Sequence, residues 1–284
     1  MRDADFRKLS MEVVSNLEVF THLDCIWKRG LVNRGGPHYR LSGMLSPISI
    51  GVDECVIFGR LIKTFKPNNC FIIGNAFGMS SVYIAKVMER FGGNAVVTLD
   101  NKSEGDGELC FQIAAALCNR MGAKILQNKV GSSPEDVHAT ADDVEYDLIF
   151  IDGLHSHPQV TKDFEAIKHL VHDHTIICWH DYWIPGILES VKTAEHAGFL
   201  CLKIRSSCEM VFGTKNPNVY SKLKQLYPNS EKPRGRRLGL VPFKLPYAYL
   251  KFLTLRYVLG RTPVFCAGQG DIREGDSERG LNIP

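Results

Sequence analysis

A glycine-bounded turn within residues 70–81 carries the first chemical signal in the chain. An apolar run at residues 71–73 stops at Gly74, a second glycine follows at Gly78, and helical spacing begins at Ser80. This pattern predicts a buried strand, a tight turn and a capped helix. Such a turn brings backbone N–H groups and a helix N-terminus close to a ligand, so it suits an anionic or polar group.

Acidic residues and a histidine come directly after three later apolar runs. Asp100 closes one predicted strand, Asp152-Gly153 closes another, and His180-Asp181 closes a third. In an open α/β sheet, ligands bind at the carboxyl ends of the strands. We therefore expect these polar residues and the glycine turn to belong to one site.

The elements that must position these residues alternate between strand and helix, which predicts a nucleotide-type α/β domain. Strands are predicted at residues 71–73, 95–99, 124–127, 146–151, 175–179, 199–204 and 209–214. Helices are predicted at residues 49–65, from Ser80 onward, at 107–121, after the loop at 131–135, at 158–172 and at 184–197. Because the link at 205–208 is too short for a crossover helix, the last two strands should be antiparallel. The expected fold is a doubly wound, mostly parallel seven-stranded sheet with an antiparallel last strand.

Composition narrows the functional class. The chain has 284 residues, a net charge of +3 and nine cysteines, none of them in a C-x-x-C pair. This charge is too small to indicate nucleic acid or membrane binding. Cysteines spread through apparent core segments predict buried reduced thiols rather than disulfides or a zinc site. With no leader pattern and no apolar run of transmembrane length, we expect a cytoplasmic protein.

The chain divides into three predicted segments. Residues 1–48 are expected to form an N-terminal helical cap, with helical spacing at 3–28 and a loop at 29–47. The α/β domain spans residues 49–216, and residues 217–284 form a C-terminal extension with a disordered tail. Residues 238–259 are apolar but interrupted by prolines and charges, which excludes a membrane span and indicates a lid, a dimer contact or a surface helix.

The strand order, the glycine turn and the strand-end carboxylates together resemble class I S-adenosylmethionine-dependent methyltransferases over about residues 49–215. The resemblance implies that the glycine turn wraps the methionine part of S-adenosylmethionine and that the loop after the third strand contacts adenine. Asp100 would accept hydrogen bonds from the ribose hydroxyls, which suits a group that only accepts. The residues so assigned to the cofactor are Gly74, Asn75, Ala76, Phe77, Gly78, Ser80, Asp100, Asn101, Ser132, Ser133, Asp152 and Gly153.

The segments around Asp152 and His180 are similar to those of small-molecule O-methyltransferases that act on sugars, macrolides and catechols. The resemblance implies methyl transfer to a hydroxyl group, with His180, Asp181 and His155 as candidate catalytic residues. In metal-dependent members, Mg²⁺ would be held here by Asp152, His180 and Asp181, and would lower the pKa of the acceptor hydroxyl. Because Mg²⁺ prefers oxygen ligands, His180 is equally a candidate general base that acts without a metal.

Other function classes stay open at this stage. A nicotinamide-binding Rossmann domain would show G-x-G-x-x-G, whereas this chain has G-x-x-x-G. Ile72 stands where many methyltransferases carry an acidic residue. A non-catalytic binding protein has no need of three strand-end carboxylates, and transfer to protein or RNA lacks a continuous basic signal. The expected partner is a small-molecule acceptor, with no nucleic acid and no membrane, and a homo-oligomer is an open alternative.

Overall fold

The computed structural model describes residues 1–21, 38–41, 44–47, 50–102, 107–141, 144–156, 158–182, 184–206, 208–228 and 230. The predicted helical spacing at 22–28 and the predicted lid or contact segment at 238–259 lie outside these residues.

A seven-stranded sheet forms the centre of the molecule. Its strands are β3 (Asn69–Ile73), β4 (Ala95–Asp100), β5 (Leu126–Val130), β6 (Leu148–Ile151), β7 (Ile176–Trp179), β8 (Leu200–Ile204) and β9 (Met210–Thr214). Their order is β5-β4-β3-β6-β7-β9-β8. The first five strands in this order are parallel, whereas β9 is antiparallel to both β7 and β8. The predicted fold class and the antiparallel last pair are confirmed.

Helices cover both faces of this sheet. They are α1 (Asp3–Thr21), α2 (Val52–Phe65), α3 (Met79–Phe91), α4 (Gly107–Met121), α5 (Val137–Ala141), α6 (Gln159–Ile167), α7 (Pro185–His196) and α8 (Pro217–Leu226). Residues of α1, α2, α3, α4 and α8 share one buried apolar cluster, and residues of α5, α6 and α7 share the other. The sheet is therefore covered on both sides, as parallel sheets usually are.

The central strands are apolar because both of their faces are buried. Every residue of β6 and β7 is buried. On one side, the Phe58 ring lies 4.9 Å from the Phe150 ring, and on the other side Phe164 lies 5.7 Å from Trp179, measured between ring centroids. This double burial holds the carboxyl ends of β3, β6 and β7 at fixed positions.

Several predicted boundaries were wrong. β5 begins at Leu126 rather than residue 124, because the amides of Lys124 and Ile125 donate to the Glu89 carboxylate instead of entering the sheet. α6 ends at Ile167 and continues as a short 3₁₀ segment, Lys168–Leu170. The helix after the 131–135 loop begins at Val137, later than the Ser-Pro-Glu pattern indicates.

A β-hairpin and a helix were not predicted at all. The segment expected to be a loop contains a hairpin of β1 (His38–Leu41) and β2 (Met44–Pro47), whose antiparallel pairing supplies hydrogen bonds that composition does not reveal. α8 follows Asn216, whose side chain accepts hydrogen bonds from two backbone amides of the first turn. This N-cap is a recognisable helix signal. No helix of the described residues has the length and hydropathy needed to cross a bilayer.

Candidate active site

The glycine turn lies at the carboxyl edge of the sheet, between β3 and α3. Gly74 has a φ of +92°, and a Cβ at this position would collide with the carbonyl oxygen of Asp152. Only glycine therefore lets the end of β3 lie directly against the end of β6. The turn and Asp152 at the end of β6 are in this way built into one surface.

Three consecutive loops continue this edge across the sheet. The Gly74 amide donates to the Leu99 carbonyl at 2.9 Å, and the Gly131 amide donates to the Asp100 carbonyl at 3.0 Å. The loops after β3, β4 and β5 are thereby joined side by side. An extended nucleoside-type ligand fits such a continuous edge, since ligands of open α/β sheets bind there.

Asp100 holds the glycine turn in place. Its Oδ2 accepts the backbone amides of Asn75 at 2.8 Å and Ala76 at 3.0 Å, and its Oδ1 accepts the Lys102 amide at 2.8 Å. A carboxylate has about four acceptor positions, so about one is left. Asp100 is thus well placed to receive one ribose hydroxyl, and receiving both would require an oxygen to be shared.

The predicted cofactor residues next in sequence are mostly turned into the protein. The Asn75 side chain donates to Asn128 Oδ1 at 3.2 Å and accepts from Ser81 Oγ at 2.6 Å. Phe77 and Ser80 are 6% exposed. These side chains position the turn, which leaves mainly its backbone groups and Ala76 to contact a cofactor. Asn101, in contrast, is exposed.

The loop after β5, in which residues 131–133 were predicted to contact adenine, is fixed by side chains at both ends. Ser132 donates its amide to Asp136 Oδ2 at 2.8 Å. Gln159 of α6 donates to the Ser133 carbonyl at 2.6 Å and to Asp163 Oδ1 at 2.8 Å. Asp163 is 1% exposed, and its burial raises its pKa to about 6 in spite of these hydrogen bonds. The Ser133 hydroxyl is buried without a hydrogen-bond partner.

Two histidines and two carboxylates meet beside the glycine turn. His180 Nδ1 lies 3.0 Å from Asp152 Oδ1 and 3.4 Å from Asp181 Oδ2. His155 Nε2 lies 3.5 Å from Asp152 Oδ1 and 3.4 Å from Asp181 Oδ2. One ligand atom from each of these four residues lies within 4.8 Å of the others. We refer to Asp152, His155, His180 and Asp181 as the two-His two-Asp cluster.

Glu54 of α2 lies beneath the cluster and is completely buried. Its Oε2 lies 3.1 Å from His180 Nε2 and accepts the Gly51 amide at 2.6 Å. Its Oε1 accepts the Ser206 hydroxyl at 2.8 Å and the Cys208 amide at 3.0 Å. Glu54 therefore joins α2, the end of β7 and the connection between β8 and β9.

The charges of this group are strongly coupled. Burial by itself lowers the pKa of His180, but the carboxylates of Asp152, Glu54 and Asp181 outweigh it and raise that pKa well above its usual range. Burial also lowers the pKa of His155, but the neighbouring carboxylates of Asp152 and Asp181 outweigh it. The pKa of His155 is therefore raised as well. Burial would raise the pKa of each of the three carboxyls, yet the histidines lower it in all three. Three carboxylates thus surround two imidazoles.

This arrangement disfavours His180 as the general base. A base for a hydroxyl group needs a free nitrogen with a pKa near neutrality. His180 has one nitrogen against Glu54 and the other against Asp152, and its raised pKa keeps a proton on the ring. Its position instead matches that of a ligand or a fixed positive charge.

The cluster fits a divalent cation. His180 is 3% exposed, and its Nδ1, like His155 Nε2, is buried with no hydrogen bond of acceptable geometry. Buried ring nitrogens that face two carboxylates without a well-directed hydrogen bond are suited to hold an ion between them. The donor set has two imidazole nitrogens and two carboxylates, which differs from the all-oxygen set that Mg²⁺ prefers.

The backbone at Asp181 is unusual. Its φ is +56°, a value that residues other than glycine, asparagine and aspartate seldom adopt. The Tyr182 amide that follows donates to the Glu209 carbonyl at 3.1 Å, which anchors this conformation to the start of β9. The left-handed turn directs the chain so that Asp181 Oδ2 lies near both histidines of the cluster.

Of the residues predicted for catalysis or metal binding, the structure brings Asp152, His155, His180 and Asp181 together at one point. Gly153 lies next to them and close to Ile73. Sequence reasoning missed Glu54, which lies 126 positions from His180. Its only sequence signal is an acidic residue three positions after Gly51, which indicates a capping box rather than a site.

Comparison with known protein families finds a match in the central part of the chain. Residues 71–182 match the profile of a family described as "Methyltransferase domain". This segment runs from β3 to the residue after Asp181 and so contains the glycine turn, Asp100 and the two-His two-Asp cluster. No curated protein sequence matches the chain with significance.

Solved structures share the fold at low sequence identity. Cofactor-bound Rv0187 from MTB aligns with a TM-score of 0.51 and 14% identity, over 60% of this chain and 84% of its own. The O-methyltransferase TomG from Streptomyces achromogenes, in complex with SAM, aligns with a TM-score of 0.50 and 13% identity, over 61% and 83%. A Klebsiella pneumoniae protein assigned as an O-methyltransferase aligns with a TM-score of 0.52 and 13% identity, over 73% and 90%.

Proposed function

We propose that this chain, whose residues 71–182 match a methyltransferase-domain profile, is a class I S-adenosylmethionine-dependent methyltransferase that transfers a methyl group to a hydroxyl group of a small molecule. The observation that carries this proposal is the two-His two-Asp cluster beside the glycine turn. Gly74 lies against the Asp152 carbonyl, so a cofactor on the turn and an acceptor at the cluster are neighbours. Alignment of the acceptor with the methyl group is then the main source of rate acceleration.

Asp152, His155, His180 and Asp181 would hold a divalent cation in this proposal. When bound, the cation supplies Lewis acidity, which lowers the pKa of an acceptor hydroxyl and orients its oxygen. The lowered pKa values of Asp152 and Asp181 keep both carboxylates charged at neutral pH, ready to bind it. Methyl transfer to an amine or a carbon atom would be accelerated less by such a cation, since a hydroxyl oxygen is the preferred ligand of a hard or borderline cation.

The rest of the site positions the cofactor. Asp100 fixes the turn through the amides of Asn75 and Ala76, and α3 begins directly after Gly78. Its first amides are suited to the carboxylate of a methionine group. The loop at residues 131–136, anchored by Gln159, would lie along the adenine.

The low net charge of the chain and the similarity to TomG are both consistent with a small-molecule acceptor. A net charge of +3 provides no field for a nucleic acid. The Streptomyces protein is an O-methyltransferase involved in tomaymycin synthesis, which is consistent with hydroxyl methylation of a small molecule. At 13% identity that relative supports the fold alone, so the acceptor class rests on the cluster.

Formation of S-adenosylhomocysteine from S-adenosylmethionine tests the proposal, with phenols, catechols and sugars offered as acceptors alongside matching amines. We expect turnover with hydroxylated acceptors in the presence of a divalent cation. Asp152→Asn should lower that rate at least about 100-fold, and the control Asp173→Asn, at an exposed position, should leave it unchanged. Turnover with amines alone, or full activity of Asp152→Asn, would overturn the proposal.

A further inference from the structure

Glu54 has four contacts and uses both carboxylate oxygens in them. It accepts from Gly51, Ser206 and Cys208, and its remaining contact is to His180 Nε2 at 3.1 Å. Because an ionised carboxylate only accepts, Nε2 must be the nitrogen that carries hydrogen. The buried carboxylate therefore determines the tautomer and the ring orientation of His180.

The other nitrogen of His180 is left to the cluster. Metal binding requires the neutral ring. With hydrogen held on Nε2, the lone pair of that ring is on Nδ1, which lies near Asp152 Oδ1 and Asp181 Oδ2, so a bound cation would take the place of a second proton on this nitrogen. Neither contact has the geometry of a hydrogen bond, and the atom is buried. His155 Nε2 is in the same situation against the same two carboxylates. With both rings neutral, two imidazole nitrogens and two carboxylates thus present four electron-pair donors to one point.

We propose that this cluster is a site for a first-row transition-metal dication, bound in preference to Mg²⁺, and that Glu54 is the positioning residue that aims His180 Nδ1 at the metal. Two imidazole nitrogens beside two carboxylates favour ions such as Mn²⁺ or Zn²⁺, whereas Mg²⁺ selects oxygen. A carboxylate behind a metal-binding histidine is a recurring outer-shell device that raises ligand basicity and fixes the ring.

Metal binding on the other side of His180 is disfavoured. Glu54, His180 and Cys208 also lie close enough to form a ligand group. The Glu54 oxygens are already occupied by Gly51, Ser206 and the Cys208 amide, and His180 Nε2 carries the hydrogen that faces Glu54. A metal requires deprotonated ligands with free electron pairs. Only the cluster side provides them.

The first test is metal binding to chelator-stripped full-length protein, with no cofactor and no acceptor present. Calorimetric titrations with Mn²⁺ and with Mg²⁺ should give one site that binds Mn²⁺ at least about tenfold more tightly. Pulsed electron paramagnetic resonance of the Mn²⁺ complex should show the nitrogen couplings of coordinated imidazole. Equal affinity for the two ions, no binding, or a Mn²⁺ complex without nitrogen couplings would each overturn the proposal.

Glu54→Gln tests the positioning role. The amide keeps an oxygen acceptor for the backbone contacts but cannot replace both carboxylate oxygens, and we expect Mn²⁺ affinity to fall about 10- to 100-fold. The ratio of Mn²⁺ to Mg²⁺ affinity should fall with it, which a purely structural defect would not cause. Asp53→Asn removes the same charge one residue earlier in α2 and should leave both values unchanged. An unaltered affinity ratio in Glu54→Gln would contradict the role.

A second variant protects the test against misfolding of Glu54→Gln. His155→Gln removes a cluster nitrogen without touching Glu54 and should also lower the Mn²⁺ to Mg²⁺ ratio, whereas an unchanged ratio would contradict imidazole ligation. The inference rests on the proposed function because it concerns the same pocket, yet the two fail separately. Metal binding without any methyl transfer would support the metal site and overturn the proposed function. Methyl transfer without metal binding would overturn the metal site and leave methyl transfer established.

Discussion

At the scale of single residues, Asp181 combines two properties that a substitution can separate. Its carboxylate lies near both histidines of the cluster, and its backbone is left-handed at φ +56°. Asparagine tolerates this backbone nearly as well as aspartate, whereas alanine does not. The backbone requirement and the charge requirement can therefore be measured independently.

Asp181→Asn should lower methyl transfer at least about 100-fold, because it replaces a charged donor of the cluster. Its melting temperature should fall, since His180 and His155 lower the pKa of Asp181 in spite of its burial and of the nearby Asp152, and the charged carboxylate is therefore stabilised in the folded protein. Asp181→Ala should lose activity equally and lose about 1 kcal/mol of unfolding free energy beyond Asp181→Asn, because of its left-handed backbone. Turnover assays and thermal unfolding check both variants, and an active Asp181→Asn would remove Asp181 from the site.

Asp163 is a second residue whose environment has a measurable consequence. Burial raises the pKa of Asp163 to about 6 in the folded protein, whereas in the unfolded chain it is about 4. Between these two pH values, Asp163 is protonated in the folded protein and ionised in the unfolded chain. The folded state then binds the extra proton, and stability falls as the pH rises through this interval.

Asp163→Asn should remove that dependence. Below about pH 4 the variant and the wild type should be equally stable, and above about pH 6 the variant should be more stable by about 2–3 kcal/mol. Urea unfolding between pH 4 and pH 8 checks this. The control Glu165→Gln, on the same helix and exposed, should differ from the wild type by less than about 0.5 kcal/mol throughout. A pH-independent difference would show that Asp163 is ionised in the folded state.

At the scale of elements, the turn after β3 sets the distance between the cofactor loop and the cluster. Gly74, at the start of this turn, has both a positive φ and a close backbone neighbour, the Asp152 carbonyl. Gly92, after α3, has a similar φ of +86° but open space around its Cβ position. Substitutions at Gly74 and Gly92 therefore separate the energetic cost of a positive φ from that of a collision between the new Cβ and the backbone of Asp152.

Gly74→Ala should lower the free energy of unfolding by about 3 kcal/mol or more, because it adds a collision with Asp152 to the strained φ. Gly92→Ala should cost only about 1 kcal/mol, the conformational part alone. Chemical denaturation of both variants measures the two values. Equal losses would mean that β3 and β6 can separate at this point without cost, contrary to the packing described.

At the scale of the whole molecule, the sequence predicted the sheet well because its signals are local. Apolar runs that are buried on both faces, such as residues 148–151, stand out from their surroundings, and the short link at 205–208 determined the antiparallel pair. β5 was misplaced because it is an edge strand with a weak apolar pattern. The β1–β2 hairpin was missed because Gly, Arg and Pro in its region indicate a loop.

The site was only partly visible in the sequence for a physical reason. Strand ends collect at one edge by topology alone, so Asp100, Asp152 and His180 could be assigned to one region. Glu54 reaches His180 through tertiary packing of α2 on the sheet, and no local pattern encodes that contact. An acid in the first turn of an amphipathic helix is expected to face solvent and the helix dipole. The pKa of His180 depends on this packing. The sequence therefore predicted a pKa near neutrality, whereas the carboxylates packed around the ring, Glu54 among them, raise it.

Calorimetric titration of S-adenosylmethionine into the full-length protein, with NADH as the comparison ligand, is the decisive test of the proposed cofactor. We predict one site with a dissociation constant in the micromolar range, abolished in Asp100→Ala because that variant releases the glycine turn. Binding of NADH together with no heat from S-adenosylmethionine, with or without a divalent cation, would contradict the account and favour a nicotinamide-dependent enzyme.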